Sequence, residues 1–170
     1  MAVFLAFSTA FGLPAHVLLV HAAVVLVPLA ALALVATGWR SAWRESYAGP
    51  IALMAVAGAV FAFLAKQSGE PLKNDIRQAA RAAGQAANFG EHPENGDTAF
   101  VFAMLFGLTA LGLWLATRYR ERLGLPTWAP MAAYGLGVGA AVIATLTMVI
   151  AGHSGATLAW NDLGTFAAGG

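Results

Sequence analysis

Four long stretches of the chain carry no charged side chain, and the polar residues gather between them. The stretches cover residues 14–37, 48–65, 99–117 and 129–151. Each approaches the ~17–25 apolar residues that a helix needs to cross a bilayer. The pattern therefore predicts an all-α integral membrane four-helix bundle, with residues 1–170 forming one membrane domain. Two short links, 38–47 and 118–128, alternate with a long one, 66–98. Antiparallel neighbours then put both termini and the long link on the same side. Within that link Leu72, Ile76, Ala79 or Ala80, and Ala83 recur at helical spacing behind Pro71, which predicts a separate surface helix.

Composition agrees with lipid as the solvent. Of the 170 residues 59% are hydrophobic and only 10% charged, against roughly 25% charged in soluble domains. The short links carry Arg40, Arg44, Arg118, Arg120 and Arg122 against Glu45 and Glu121 alone. By the positive-inside rule they face the cytoplasm, so both termini are expected to be extracytoplasmic. Trp39, Trp43, Tyr47, Trp114, Tyr119 and Trp128 gather at the same boundary, as rings at headgroup depth do. Residues 1–12 are apolar without a basic start and read as an uncleaved interfacial segment.

Small residues punctuate the spans, with Gly135, Gly137 and Gly139 in the fourth, and they read as helix-packing positions. A dinucleotide loop is excluded there because no strand precedes the glycines. Pro28 predicts a local kink in the first span. The absence of cysteine removes disulfides, thiolate clusters and cysteine nucleophiles. With a net charge of +1 and no basic-aromatic run or phosphate loop, nucleic acid is not an expected partner. Gly-His-Ser-Gly at 152–155 lacks the spacing of a nucleophile elbow, so Ser154 reads as a turn residue beyond the last helix. The spans offer no polar pathway for a transporter.

The candidate chemistry lies in four histidines. The topology brings His16, His21, His92 and His153 to one side of the membrane. Imidazole suits two roles there, a ligand to iron, copper or zinc and a proton carrier near neutrality. The same rings could instead fix the bundle by interhelical hydrogen bonds with no ligand at all. On an ideal helix His16 and His21 differ by about 140° in azimuth and about 7.5 Å in height. His21 is then expected to point into the bundle, with His16 nearer its mouth. His21 and His153 form the expected axial pair for haem b, with His16 and His92 as further ligands; a bare transition metal would draw on the same four. Asp97 and Asp162 are acceptors that could orient ligating rings, although Asp97 also stands where a helix N-cap belongs. Lys73, Arg77 and Arg81 make a basic stripe fit for haem propionates or lipid headgroups.

Gly12-Leu13-Pro14-Ala15-His16 with His21 and Pro28, Gln67-Ser68-Gly69-Glu70, His92 with Gly96-Asp97, and Gly152-His153-Ser154-Gly155-Ala156 with Trp160 resemble the bacterial membrane proteins of domain of unknown function 2231. The resemblance covers nearly the whole chain. It implies a four-helix module of the bacterial plasma membrane. Similar modules occur joined to Rieske-type iron–sulfur domains, which implies an association with electron transfer; this chain carries no such domain. Val17 stands where the family's first His is often followed by Pro. The expectation is a multi-pass protein binding haem b or a transition metal, an accessory subunit of a larger respiratory or redox complex rather than a stand-alone enzyme. The alternative is a cofactor-free structural or assembly subunit.

Overall fold

The computed structural model describes residues 9–10 and 13–167, with side chains described over 14–160. A two-residue antiparallel pair, β1 (Thr9–Ala10) with β2 (Leu13–Pro14), leads into the first helix. Four helices follow: α1 (Ala15–Ala36), α2 (Ser41–Ala82), α3 (His92–Arg118) and α4 (Ala129–Ala167). Each is long and apolar enough to cross a membrane. The all-α membrane bundle expected from the pattern is thus the observed architecture. The interfacial segment expected at 1–12 lies outside the described residues apart from Thr9–Ala10, and Asp162 lies outside the described side chains.

The helices are longer than the apolar stretches that revealed them. There is no separate surface helix, because α2 runs unbroken for 42 residues from Ser41 through Pro50 and Pro71 to Ala82. At 1.5 Å per residue it is about 63 Å long, roughly twice the hydrocarbon thickness. Lys66 marks where α2 leaves the apolar layer, not where it stops, since Lys, Gln and Glu are good helix formers. The end is set by capping: Gln85 N–H donates to Ala80 O at 2.8 Å and Gly84 N–H to Arg81 O at 3.0 Å, with Gly84 at φ 71°. That is the Schellman arrangement for a left-handed glycine.

Helix α3 begins at His92, with Pro93 in its first turn and Glu94 favourably placed against the N-terminal dipole. Asp97 therefore lies inside the helix, and the capping role open to it in the sequence is excluded. Ser154 is likewise not a turn residue, since α4 continues past it. α1 continues through Pro28.

Burial in the two halves of the chain follows one register. A shift of 76 positions carries buried Ala23, Val27, Ala30, Ala31 and Leu34 of α1, and buried Thr37 just after it, onto buried Ala99, Ala103, Phe106, Gly107, Ala110 and Leu113 of α3. The same shift carries His16 onto His92. A shift of 86 carries buried Ile51, Ala55, Gly58, Ala62 and Ala65 of α2 onto buried Gly137, Ala141, Ala144, Met148 and Ala151 of α4. The bundle is two quasi-equivalent hairpins, α1–α2 and α3–α4, arranged as a parallel internal repeat.

Continuity of α2 has a direct check. Spin labels at Phe63 and Ala80 should report one narrow distance distribution near 26 Å, from seventeen helical steps. A broad or bimodal distribution would favour the separate surface helix behind Pro71 instead.

Candidate functional site

At the end of the bundle where α1 and α3 begin, the two hairpins each contribute one imidazole to a common centre. His16 is the second residue of α1 and His92 the first of α3. Their rings lie 6.3 Å apart between centroids at an interplanar angle of 80°. Each ring rests on a glycine of the opposing long helix. A Cβ built on Gly69 would come within 3.2 Å of His16, and one on Gly155 within 2.8 Å of His92. Glycine gives the imidazoles room that any side chain would take.

Hydrogen bonds fix the tautomer of both rings. His16 Nδ1 lies 2.8 Å from Ala65 O, and a carbonyl can only accept, so the proton is on Nδ1. His92 Nδ1 lies 3.1 Å from Ser154 Oγ. The Ser154 hydroxyl spends its own proton on Ala151 O at 3.0 Å, so it accepts from His92. In the neutral form each imidazole then leaves Nε2 with an unshared lone pair. Donation of the other N–H to a carbonyl or its relay is the usual way a ligating histidine is oriented.

The repeat extends to this scaffold. Ala65-x-x-Ser68-Gly69 in α2 corresponds to Ala151-x-x-Ser154-Gly155 in α4. In both, the serine hydroxyl donates at 3.0 Å to the carbonyl of the alanine three residues earlier.

A cavity of about 590 Å³ opens beside the pair. Its lining is mainly apolar, from Val24, Phe100, Met148 and Leu158, with His16 and His92 among its polar atoms. Lys66 bonds Asp97 at 2.8 Å across α2 and α3, with Asp97 side chain 62% exposed. Lys73 bonds Glu70 at 2.6 Å. Both lysines line the cavity, and Lys66 was not singled out by the sequence because it stands alone at the edge of an apolar run.

The four sequence-derived histidines divide two and two. His16 and His92 meet in the cavity wall. His21 does not point into the bundle: it is exposed, with Nδ1 2.6 Å from Val17 O of its own helix. His153 is exposed on α4, and neither His21 nor His153 lines the cavity. The helical azimuth explains the division, because the face carrying Ala23 and Val27 inward turns residue 21 outward. Asp97 engages Lys66 rather than a histidine. Of the basic stripe, Lys73 borders the cavity, Arg77 stacks 5.5 Å over Phe89, and Arg81 is exposed in the last turn of α2. Among the described residues no three His, Asp or Glu side chains are grouped to hold a bare metal ion.

Residues 12–167 match the family described as predicted membrane protein, domain of unknown function 2231, and the chain belongs to that family. No curated protein matches the chain, and no solved structure does.

The two glycines make unequal predictions. Gly155→Ala should destabilise the protein in detergent by about 1–3 kcal/mol, because its Cβ must displace the His92 ring. Gly69→Ala, with a looser contact and a helix-propensity gain of about 1 kcal/mol, should unfold within a few degrees of the parent. Equal midpoints in a thermal melt would mean that His92 is not held against Gly155.

Proposed function

We propose that this member of the family is a haem b-binding electron-transfer module in which His16 and His92 would hold the iron. The observation that carries the reading is the pair itself: two imidazoles 6.3 Å apart, both with Nε2 free, beside a largely apolar cavity. A metal held between the rings would bond the Nε2 atoms of His16 and His92, and the remaining donors would have to come from the cofactor. The donor set also discriminates between ligands. A bare zinc or copper ion needs a third protein donor, whereas the porphyrin supplies four nitrogens and takes two from the protein. The cavity volume lies within the range of about 300–1,000 Å³ usual for cofactor sites.

Bound haem supplies a one-electron iron couple. The chain's own residues hold the imidazoles in the ligating tautomer, surround the site with apolar side chains and offer cations at its edge. Lys66 and Lys73 border the cavity already paired to Asp97 and Glu70, and Arg77 stacks over Phe89 beside it, so the carboxylates of such a cofactor would compete with those two acids for the lysines. His21 and His153, exposed on α1 and α4, are not part of this ligand pair. By the positive-inside rule the arginine-bearing links favour an imidazole end outside the plasma membrane. A module this small would exchange electrons with a larger respiratory or redox complex.

Reconstitution tests the reading. Protein purified in mild detergent and supplied with haem should show a Soret band that shifts on dithionite reduction. His16→Ala and His92→Ala should each abolish the band, while His21→Ala and His153→Ala retain it. Loss of colour in the second pair instead would move the ligands to the exposed histidines. A colourless parent, metal-free by elemental analysis, would leave the cofactor-free structural subunit in its place.

A further inference from the structure

The opposite end of the bundle holds a second cleft, of about 650 Å³, between the start of α2, the end of α3 and the start of α4. Four guanidinium groups line it, those of Arg44, Arg118, Arg120 and Arg122, against the carboxylates of Glu45 and Glu121. The excess is two positive charges. Little in the fold consumes them. Among the described residues the one ion pair there is Arg120 with Glu121 at 3.7 Å, and the Glu121 side chain is 91% exposed, so the contact is weak and screened. Arg44 stacks 5.1 Å over Tyr134 and reaches Thr37 O with one N–H at 3.5 Å, and Arg118 stacks 5.6 Å over Tyr119, which orients both groups while leaving most N–H donors unused.

The choice of cation is informative. All five basic residues of the two short links are arginine, while both lysines of the chain stand at the imidazole end. Lysine would satisfy the positive-inside rule equally well. Arginine differs in its planar fork, which binds phosphate oxygens in bidentate fashion. Exposed aromatic side chains flank the cleft at this end, with Trp43 39%, Tyr47 53% and Trp128 66% exposed. Such rings mark headgroup depth, so phosphates at the bilayer surface lie within reach of the four guanidinium groups.

We propose that the Arg44–Arg118–Arg120–Arg122 cleft is a binding site for the phosphate groups of an anionic phospholipid. Two phosphodiesters, on one headgroup or two, balance the excess charge, as in basic pockets between membrane helices generally. The site is independent of the imidazole pair at the other end of the bundle.

Native mass spectrometry of the full chain in detergent, titrated with lipid, tests it. Diphosphatidylglycerol and phosphatidylglycerol should bind, and zwitterionic phosphatidylethanolamine should bind about tenfold more weakly or less. The Arg118→Gln/Arg122→Gln double variant should lose about tenfold or more in anionic-lipid affinity. Arg40→Gln, which removes a charge at the same end but outside the cleft, should leave affinity within about twofold. Should the double variant not fold, the two single variants against Arg40→Gln give the same comparison. Displacement of the lipid by inorganic pyrophosphate at similar concentration would support the phosphate site but assign it to a soluble anion. Equal losses in the cleft variants and Arg40→Gln, or equal binding of phosphatidylethanolamine, would overturn the proposal.

Discussion

Close approach of helix backbones is the condition on which the rest of this molecule depends. Lipid tails are as apolar as leucine, so burying large side chains between membrane helices brings little net gain, and packing of small residues takes over. Seventeen of the twenty-three buried apolar residues among those described are alanine. Phe106, Leu34, Leu113 and Val27 are the largest fully buried side chains, and they fill the gaps that the alanines leave. This close packing lets His16 reach the carbonyl of Ala65 and His92 the hydroxyl of Ser154. A wider bundle would leave both rings hydrogen-bonded to water, free to take either tautomer. The electronic state of the imidazoles thus follows from alanine and glycine positions distributed along all four helices.

The internal repeat gives that packing a simple origin. One hairpin needs only one small-residue register, one histidine near its start and one Ala-x-x-Ser-Gly scaffold on its second helix. Two such hairpins then bring two imidazoles together without any further specification. The halves are not identical. His16 donates straight to a backbone carbonyl, whereas His92 donates through the Ser154 hydroxyl, a longer and softer link. A carbonyl shared between His16 and Ser68 on one side, against a relayed bond on the other, makes the hydrogen bonding of the two rings inequivalent even though their positions correspond.

The spans, their number and the grouping of histidines at one end were legible because a bilayer imposes a long uncharged run on any helix that crosses it. Helix ends were not, because polarity marks where a helix leaves lipid while hydrogen bonding marks where it stops. α2 continues for seventeen residues from Lys66 to Ala82 for that reason, and α3 begins seven residues before the apolar run at Ala99. The inward facing expected of His21 failed on azimuth. His21 lies deeper in the span than His16, but the facing of a helix is set by which of its sides carries the small residues. A legible signal did exist in the doubled Ala-x-x-Ser-Gly at 65–69 and 151–155, separated by the same register that relates the buried faces of α2 and α4. It escapes a search for charge or hydropathy, because alanine, serine and glycine carry little of either.

The two ends of the bundle use polar groups in opposite ways, and the difference follows from what surrounds them. At the imidazole end the lysines are matched to Asp97 and Glu70 at 2.8 and 2.6 Å and Glu94 also lines the cavity, so no cation bordering it is left in excess. At the other end four arginines outnumber two acids, and the charge itself is what remains to be satisfied. A neutral ligand or cofactor with its own charge compensation fits the first environment, and an anion fits the second.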